Sequence, residues 1–324
     1  MDRRKLLVAL GLGAFAGALP AFAQQKGKVW RIGFLGAASP ARFARPVEAL
    51  RAGLHEFGYV EGKNLVIEFR WAEGKADRLP ELAAELVRSK VDVIVTHQHS
   101  GAHAAKQATT TIPIVVAVVG DAVATGIVAS LARPGGNITV SSFFSQEINA
   151  KRLELLKESF PRIRRIAVLR NPDGAGIALP AMEAAAGSLK VELQEFGVRS
   201  PADLENAFAA MSKRYIEAVV IVEDSVLFAS AGVASSLAAK HRIPSIGFVE
   251  VAEAGGLMAY GANFPAMWRR SSYFVDRILK GAKPGDLPIE RATTFEMVIN
   301  SKAAKALGIN IPQSILVRAD RVIE

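Results

Sequence analysis

The chain contains no cysteine. That absence excludes a disulfide-stapled scaffold, a thiol nucleophile, a thiolate zinc centre and a lipid carried on an N-terminal cysteine. Aromatic residues are sparse at 7%, with four tyrosines and three tryptophans. The contiguous signatures of hydrolases, P-loop nucleotide binders and zinc proteases are missing too: there is no Gly-x-Ser-x-Gly, no Walker loop and no His-Glu-x-x-His. Gly33-x-x-Gly36 lacks the third glycine of a dinucleotide fingerprint. No uncharged apolar run reaches the ~20 residues that a membrane helix needs. What is present is a chain of 324 residues, 50% hydrophobic and 22% charged, with a formal charge of +9. At ~100–200 residues per domain, that length predicts two lobes, and the apolar fraction excludes intrinsic disorder.

The start of the chain reads as an export signal. Asp2, Arg3, Arg4 and Lys5 form a net basic head, residues 6–19 are uncharged and apolar, and Ala21-Phe22-Ala23 supplies a small-x-small cleavage pattern. Cleavage is expected before Gln24, so residues 1–23 leave and the mature protein is periplasmic. Sec and twin-arginine export both remain open. In the rest of the chain basic residues alternate with acidic ones, as in Lys151-Arg152-Leu153-Glu154-Leu155-Leu156-Lys157-Glu158. That spacing is a solvated helix face rather than the clustered stripe of a nucleic-acid binder.

After Gln24 short apolar runs alternate with helical spacing. Residues 29–35, 65–69, 91–95 and 112–119 read as strands; 46–57, 79–87 and 101–108 read as helices. The second half repeats the plan, with strands at 165–169, 217–222 and 243–246 and helices over 148–160, 180–189, 202–214 and 226–241. This alternation predicts α/β architecture, two Rossmann-like lobes with parallel sheets. Residues 137–144 and 261–265 are expected to cross between lobes, with a helix over 266–279 returning to the first. The expected division is 24–140 plus about 263–294 in lobe 1, and 141–262 plus about 295–324 in lobe 2.

Ligands of such sheets bind beyond the carboxyl ends of the strands, where helix N-termini present free N–H groups. Just past each expected strand stand Ala38 and Ser39, then Gln98, His99 and Ser100, then Asp121, Asn171, Asp224 and Glu250. Ser142 lies in the first crossing segment and Tyr260 before the second. Asp121 and Asp224 each follow a long apolar run, so each suits a ligand ammonium or hydroxyl; each equally suits capping the helix that follows. Tyr260 offers a ring or a hydroxyl, or a structural role at a hinge. The spacing His97-x-His99-x3-His103 raises a zinc reading, but no acidic residue accompanies it. We expect no metal, no cofactor and no catalytic residue. An exported α/β enzyme using either aspartate, or a sensory subunit, is the alternative.

Several segments carry a family resemblance: Gly58-Tyr59-Val60-Glu61-Gly62-Lys63-Asn64-Leu65, Asp77-Arg78-Leu79-Pro80-Glu81-Leu82-Ala83, Ala105-Lys106-Gln107-Ala108-Thr109, 130–139 and 254–261. Together they resemble the ABC transporter substrate-binding proteins of the tryptophan/tyrosine type, over essentially the whole mature chain. The resemblance implies a type I periplasmic binding protein fold with three crossovers and a ligand cleft between the lobes. It further implies a non-enzymatic role, hinge closure on a small amino-acid-like, carboxylate or aromatic solute, and delivery to a membrane permease with its ATPase. The receptor is expected to be a monomer. By this resemblance Ala38, Ser39, Asp121, Asn171, Asp224 and Tyr260 occupy pocket positions. The chain departs from the family at 97–100, where small residues and Gly-Thr are usual, and at Arg170, where an aromatic is frequent. An aromatic ligand therefore does not follow from the resemblance.

Overall fold

The computed structural model describes residues 28–132, 134–174 and 178–324; the expected export signal lies outside them. The first half runs β1 (Trp30–Gly36), α1 (Ala44–Glu56), β2 (Leu65–Trp71), α2 (Leu79–Arg88), β3 (Val93–Thr96), α3 (Gln98–Ala108), β4 (Ile114–Val119) and β5 (Ile138–Ser142). The second runs α4 (Ser145–Ser159), β6 (Arg165–Arg170), α5 (Leu179–Leu189), β7 (Glu192–Gly197), α6 (Asp203–Lys213) and β8 (Ala218–Ile221). It continues through α7 (Ser225–Ala229), α8 (Ala231–Lys240), β9 (Ser245–Gly247), α9 (Val249–Glu253) and β10 (Met258–Ala262). The chain then returns as α10 (Phe264–Leu279) and β11 (Glu290–Arg291). It ends as β12 (Phe295–Asn300), α11 (Ser301–Leu307), α12 (Gln313–Leu316) and β13 (Arg321–Ile323).

Two sheets result. One has the order β11-β5-β4-β3-β1-β2, the other β13-β12-β10-β9-β8-β6-β7. Within β2-β1-β3-β4-β5 and β7-β6-β8-β9-β10 the order is the same and every pairing is parallel; among the described strands only β10 with β12 is antiparallel. The apolar runs explain this. β4, Ile-Val-Val-Ala-Val-Val, is buried along its whole length, as a strand covered by helices on both faces must be. The chain passes between the sheets at 143–144, at 263 and at 292–294. Phe144 takes φ 56° at the first passage. At the other two, the Asn263 N–H donates to Thr294 O (3.2 Å), so these strands run bonded to each other.

α10 binds the return to the first lobe. Trp268 is buried against Phe34 (ring centroids 5.6 Å) and Phe43 (6.1 Å). α10 crosses α1 at Gly53, where a Cβ would stand 2.5 Å from Arg269 O and 2.3 Å from Ser272 Oγ. Two details depart from the sequence reading. The helix expected over 226–241 breaks at Ser230 into α7 and α8, and β7 at the sheet edge lies where no strand was expected. Its side chains are mostly exposed, so its apolar signal is weak.

The α1–α10 contact generates a prediction. Gly53→Ala lowers unfolding free energy by about 1–3 kcal/mol through overpacking against backbone, measured by urea denaturation. Unchanged stability would mean the helices separate without cost.

Candidate functional site

The carboxyl ends of both parallel sheets face each other, and between them lies a cavity of about 240 Å3. From the first lobe it is lined by Ala37, Gln98, His99, Ser100, Asp121 and Thr125, and from the second by Arg170, Asn171, Asp173, Glu223, Asp224 and Ser225. Most of these groups stand where a strand leads into a helix, whereas Asp121 and Thr125 lie on the turns between β4 and β5. The lobes touch around this space: the Arg42 guanidinium donates to Ala229 O, Arg45 pairs with Glu253 (2.6 Å), and Phe43 packs on Phe228 (5.9 Å).

Most lining charges are already paired. Arg170 bonds Glu195 (2.6 Å), Arg199 bonds Asp173 (3.2 Å), and Arg152 and Glu223 form an ion pair with both side chains inaccessible to solvent. Asp121 and Asp224 have no Arg or Lys partner among the described residues. Asp121 Oδ1 accepts from the N–H groups of Val123 (3.0 Å) and Ala124 (2.9 Å). Asp224 Oδ1 accepts from Val226 N–H (2.7 Å) at the start of α7, and Oδ2 accepts from the Asn171 amide (3.4 Å). Burial pushes the Asp224 carboxyl above the usual range, outweighing these hydrogen bonds. Gln98 opens α3 at φ 57°, a left-handed conformation that costs an L-residue about 1–2 kcal/mol. The His97 side chain does not cap that helix, which leaves its first-turn N–H groups available.

Residues 39–323 match the family model described as ABC transporter substrate binding protein. The chain is an ABC transporter substrate-binding protein. Proteins of this family bind small solutes and work with a membrane permease and its ATPase. The "Tyrosine-binding protein" of Clostridioides difficile is 28% identical over 260 residues, covering 79% of this chain and 74% of that one. A conserved domain protein of Vibrio cholerae superposes with a TM-score of 0.86 at 28% identity, over 91% of this chain and all of the other. An ABC domain from Streptococcus pneumonia in complex with L-Trp gives 0.83 at 26%, over 90% of this chain and all of its own. The two-lobed α/β fold of periplasmic binding proteins expected from the sequence is the fold found.

The binding protein gathers Gln98, His99, Ser100, Asp121, Asn171 and Asp224 around one cavity. Ala38, Ser39, Ser142, Glu250 and Tyr260 lie outside its lining. Ala38 is buried beside it, and the Ser142 hydroxyl is spent on Gly120 O (3.2 Å). Tyr260 stacks on Phe295 (6.2 Å) in the sheet of the second lobe. The histidine cluster separates. His97 is buried between Phe43 and Trp268, accepts from Ala37 N–H through Nε2 (3.3 Å) and is pushed by burial down to about 3. His99 and His103 stay together on α3, ring centroids 4.2 Å apart; burial, then the neighbouring His103, lowers the His99 pKa. Among the described residues no group of three His, Asp or Glu is placed to hold a metal. Asp173 and Glu223 belong to the polar clusters that the sequence places after β6 and β8; Arg199 was missed, because it follows β7, where no strand was expected.

Glu250 carries a pH prediction. Its Oε2 is buried without a partner, and burial pushes the carboxyl up to about 7. The folded protein therefore holds this proton more tightly than the unfolded chain, and stability is lost as pH rises from about 4.5 to 7. Glu250→Gln raises the melting temperature at pH 8 and leaves it nearly unchanged at pH 5; an equal effect at both values would contradict this.

Proposed function

We propose that this binding protein is the monomeric, periplasmic receptor of an ABC uptake system for an amino-acid-like solute, exported by cleavage before Gln24. The solute ammonium sits between Asp121 and Asp224, and its carboxylate meets the free N–H groups and Ser100 hydroxyl at the start of α3. The observation that carries this reading is the charge inventory of the cavity. Asp173 and Glu223 have arginine partners, whereas Asp121 and Asp224 have none among the described residues. A cation brought by the solute supplies what both lack. The N-terminus of an 11-residue helix without a side-chain cap favours the opposite charge of the same molecule.

Relatives named for tyrosine and crystallised with L-Trp support the amino-acid headgroup. The remainder of the solute meets other surfaces here. Among the described lining residues there is no Phe, Tyr or Trp; the apolar walls are Ala76, Val119, Leu179, Pro201 and Val226. Contacts from both lobes favour the closed form by their difference from the open one, so a molecule touching one lobe alone does not close it.

Native mass spectrometry of protein purified without refolding tests the reading. The expected retained solute carries a basic nitrogen, and Asp121→Asn and Asp224→Asn each weaken its binding by about 10- to 100-fold, the range for a lost charged hydrogen bond. A retained solute without a basic nitrogen, or unchanged retention in both variants, overturns it.

A further inference from the structure

Behind the cavity, and sharing its lining at Gly120, Ser145 and Glu223, runs a hydrogen-bonded chain. Arg152 on α4 is fully buried, an uncommon place for a guanidinium. Its Nη2 donates to Glu223 Oε1, Nη1 to Asn149 Oδ1 (2.9 Å) and to Ile221 O (3.4 Å), and Nε to Tyr260 O (2.7 Å). Asn149 Nδ2 donates in turn to Glu223 Oε2 (3.0 Å) and to Ser145 O (2.8 Å). The Ser145 N–H donates to Gly120 O (3.2 Å), in the loop of the opposite lobe that carries Asp121.

The consequence is geometric. One unbroken set of bonds joins the Asp121 loop of the first lobe to the Glu223–Asp224 loop of the second, and reaches two of the three passages between the sheets. α4 begins directly after the passage at 143–144, and Tyr260 precedes the passage at 263. An ion pair this deep gains little net stability against an apolar replacement, because desolvation offsets its attraction. Its completeness matters more: every donor and acceptor in it constrains another.

We propose that Arg152 is a positioning residue for solute binding: it sets the separation of the two ligand-facing aspartate loops and ties that separation to the hinge. The inference rests on the solute-binding role of the cleft and not on which solute enters it. Glu223 acts through Arg152, its two carboxylate oxygens accepting from Arg152 and Asn149. Asn149 is the link that carries the constraint across to the first lobe.

Amide hydrogen exchange on the full mature chain without added solute tests this. In Arg152→Lys and Glu223→Gln, exchange at Val226, at Asn263 and at the distant Val123 and Ala124 accelerates at least tenfold, while core strands β1 and β6 keep their protection. In Asn149→Ser, which leaves the ion pair in place, Val123 and Ala124 accelerate and Val226 does not. Acceleration confined to α4 and residues 221–226, with Val123, Ala124 and Asn263 unchanged, overturns the proposal by reducing Arg152 to local packing. Should Arg152→Lys and Glu223→Gln fail to fold, the Asn149→Ser pattern decides alone. Retained solute is first removed by unfolding, dialysis and refolding, so the outcome is independent of the amino-acid reading.

Discussion

Two carboxylates on opposite rims of one cavity, with only neutral donors to meet them, set the terms for the rest of this protein. Asp121 and Asp224 are each held by backbone N–H groups of their own loop. Neutral donors offset part of a buried charge, and the pKa direction at Asp224 shows that the remainder is felt. On the proposed reading, a solute ammonium between the rims meets both carboxylates at once, which couples recognition to closure.

The fold holds that state with a layered support. Parallel strands end at the cleft, and most of the helices that follow begin there, so loops from seven strands converge without needing to be long. Below them the Arg152–Glu223–Asn149 set is fully paired and dry, in contrast to the two aspartates above it. At the rim, the Arg45–Glu253 pair joins the lobes, but Arg45 is 74% exposed, and exposed pairs contribute little. The apolar contact of Phe43 with Phe228 is the firmer part of the closed surface. Left-handed backbone at Gln98 and Phe144 marks the cleft loop and the first passage, places where strain is retained because surrounding structure holds it.

Much of this was legible in the residues. Alternating apolar runs and helical spacing brought out β1 to β4 of the first five-strand repeat and β6, β8 and β9 of the second, since β1, β4, β6 and β8 are buried on two faces and read as continuous hydrophobic segments. The rule that polar clusters after such strands form the cleft brought out Gln98, His99, Ser100, Asp121, Asn171 and Asp224. It failed to separate Glu250 from them, because a carboxylate after β9 looks the same in sequence whether it opens on the cavity or turns into the lobe. His97 and His99 differ in the same way: two residues of offset across the start of α3 send the first into an aromatic core. Arg152 was read as part of a solvated face, since its neighbours Lys151 and Glu154 are exposed and pair with each other. Its burial depends on β10 and Glu223, which lie 108 and 71 residues away. Long-range pairing of that kind leaves no periodic trace.

The most direct test of the central claim is the distance between the lobes, measured by double electron–electron resonance. The absence of native cysteine lets single labels be placed at Gln107→Cys and Glu183→Cys, on α3 and α5. The account predicts that a mixture of free amino acids narrows and shortens the distance distribution, while the matching carboxylic acids without the amino group leave it unchanged. Equal shortening by both mixtures, or by neither, would contradict it.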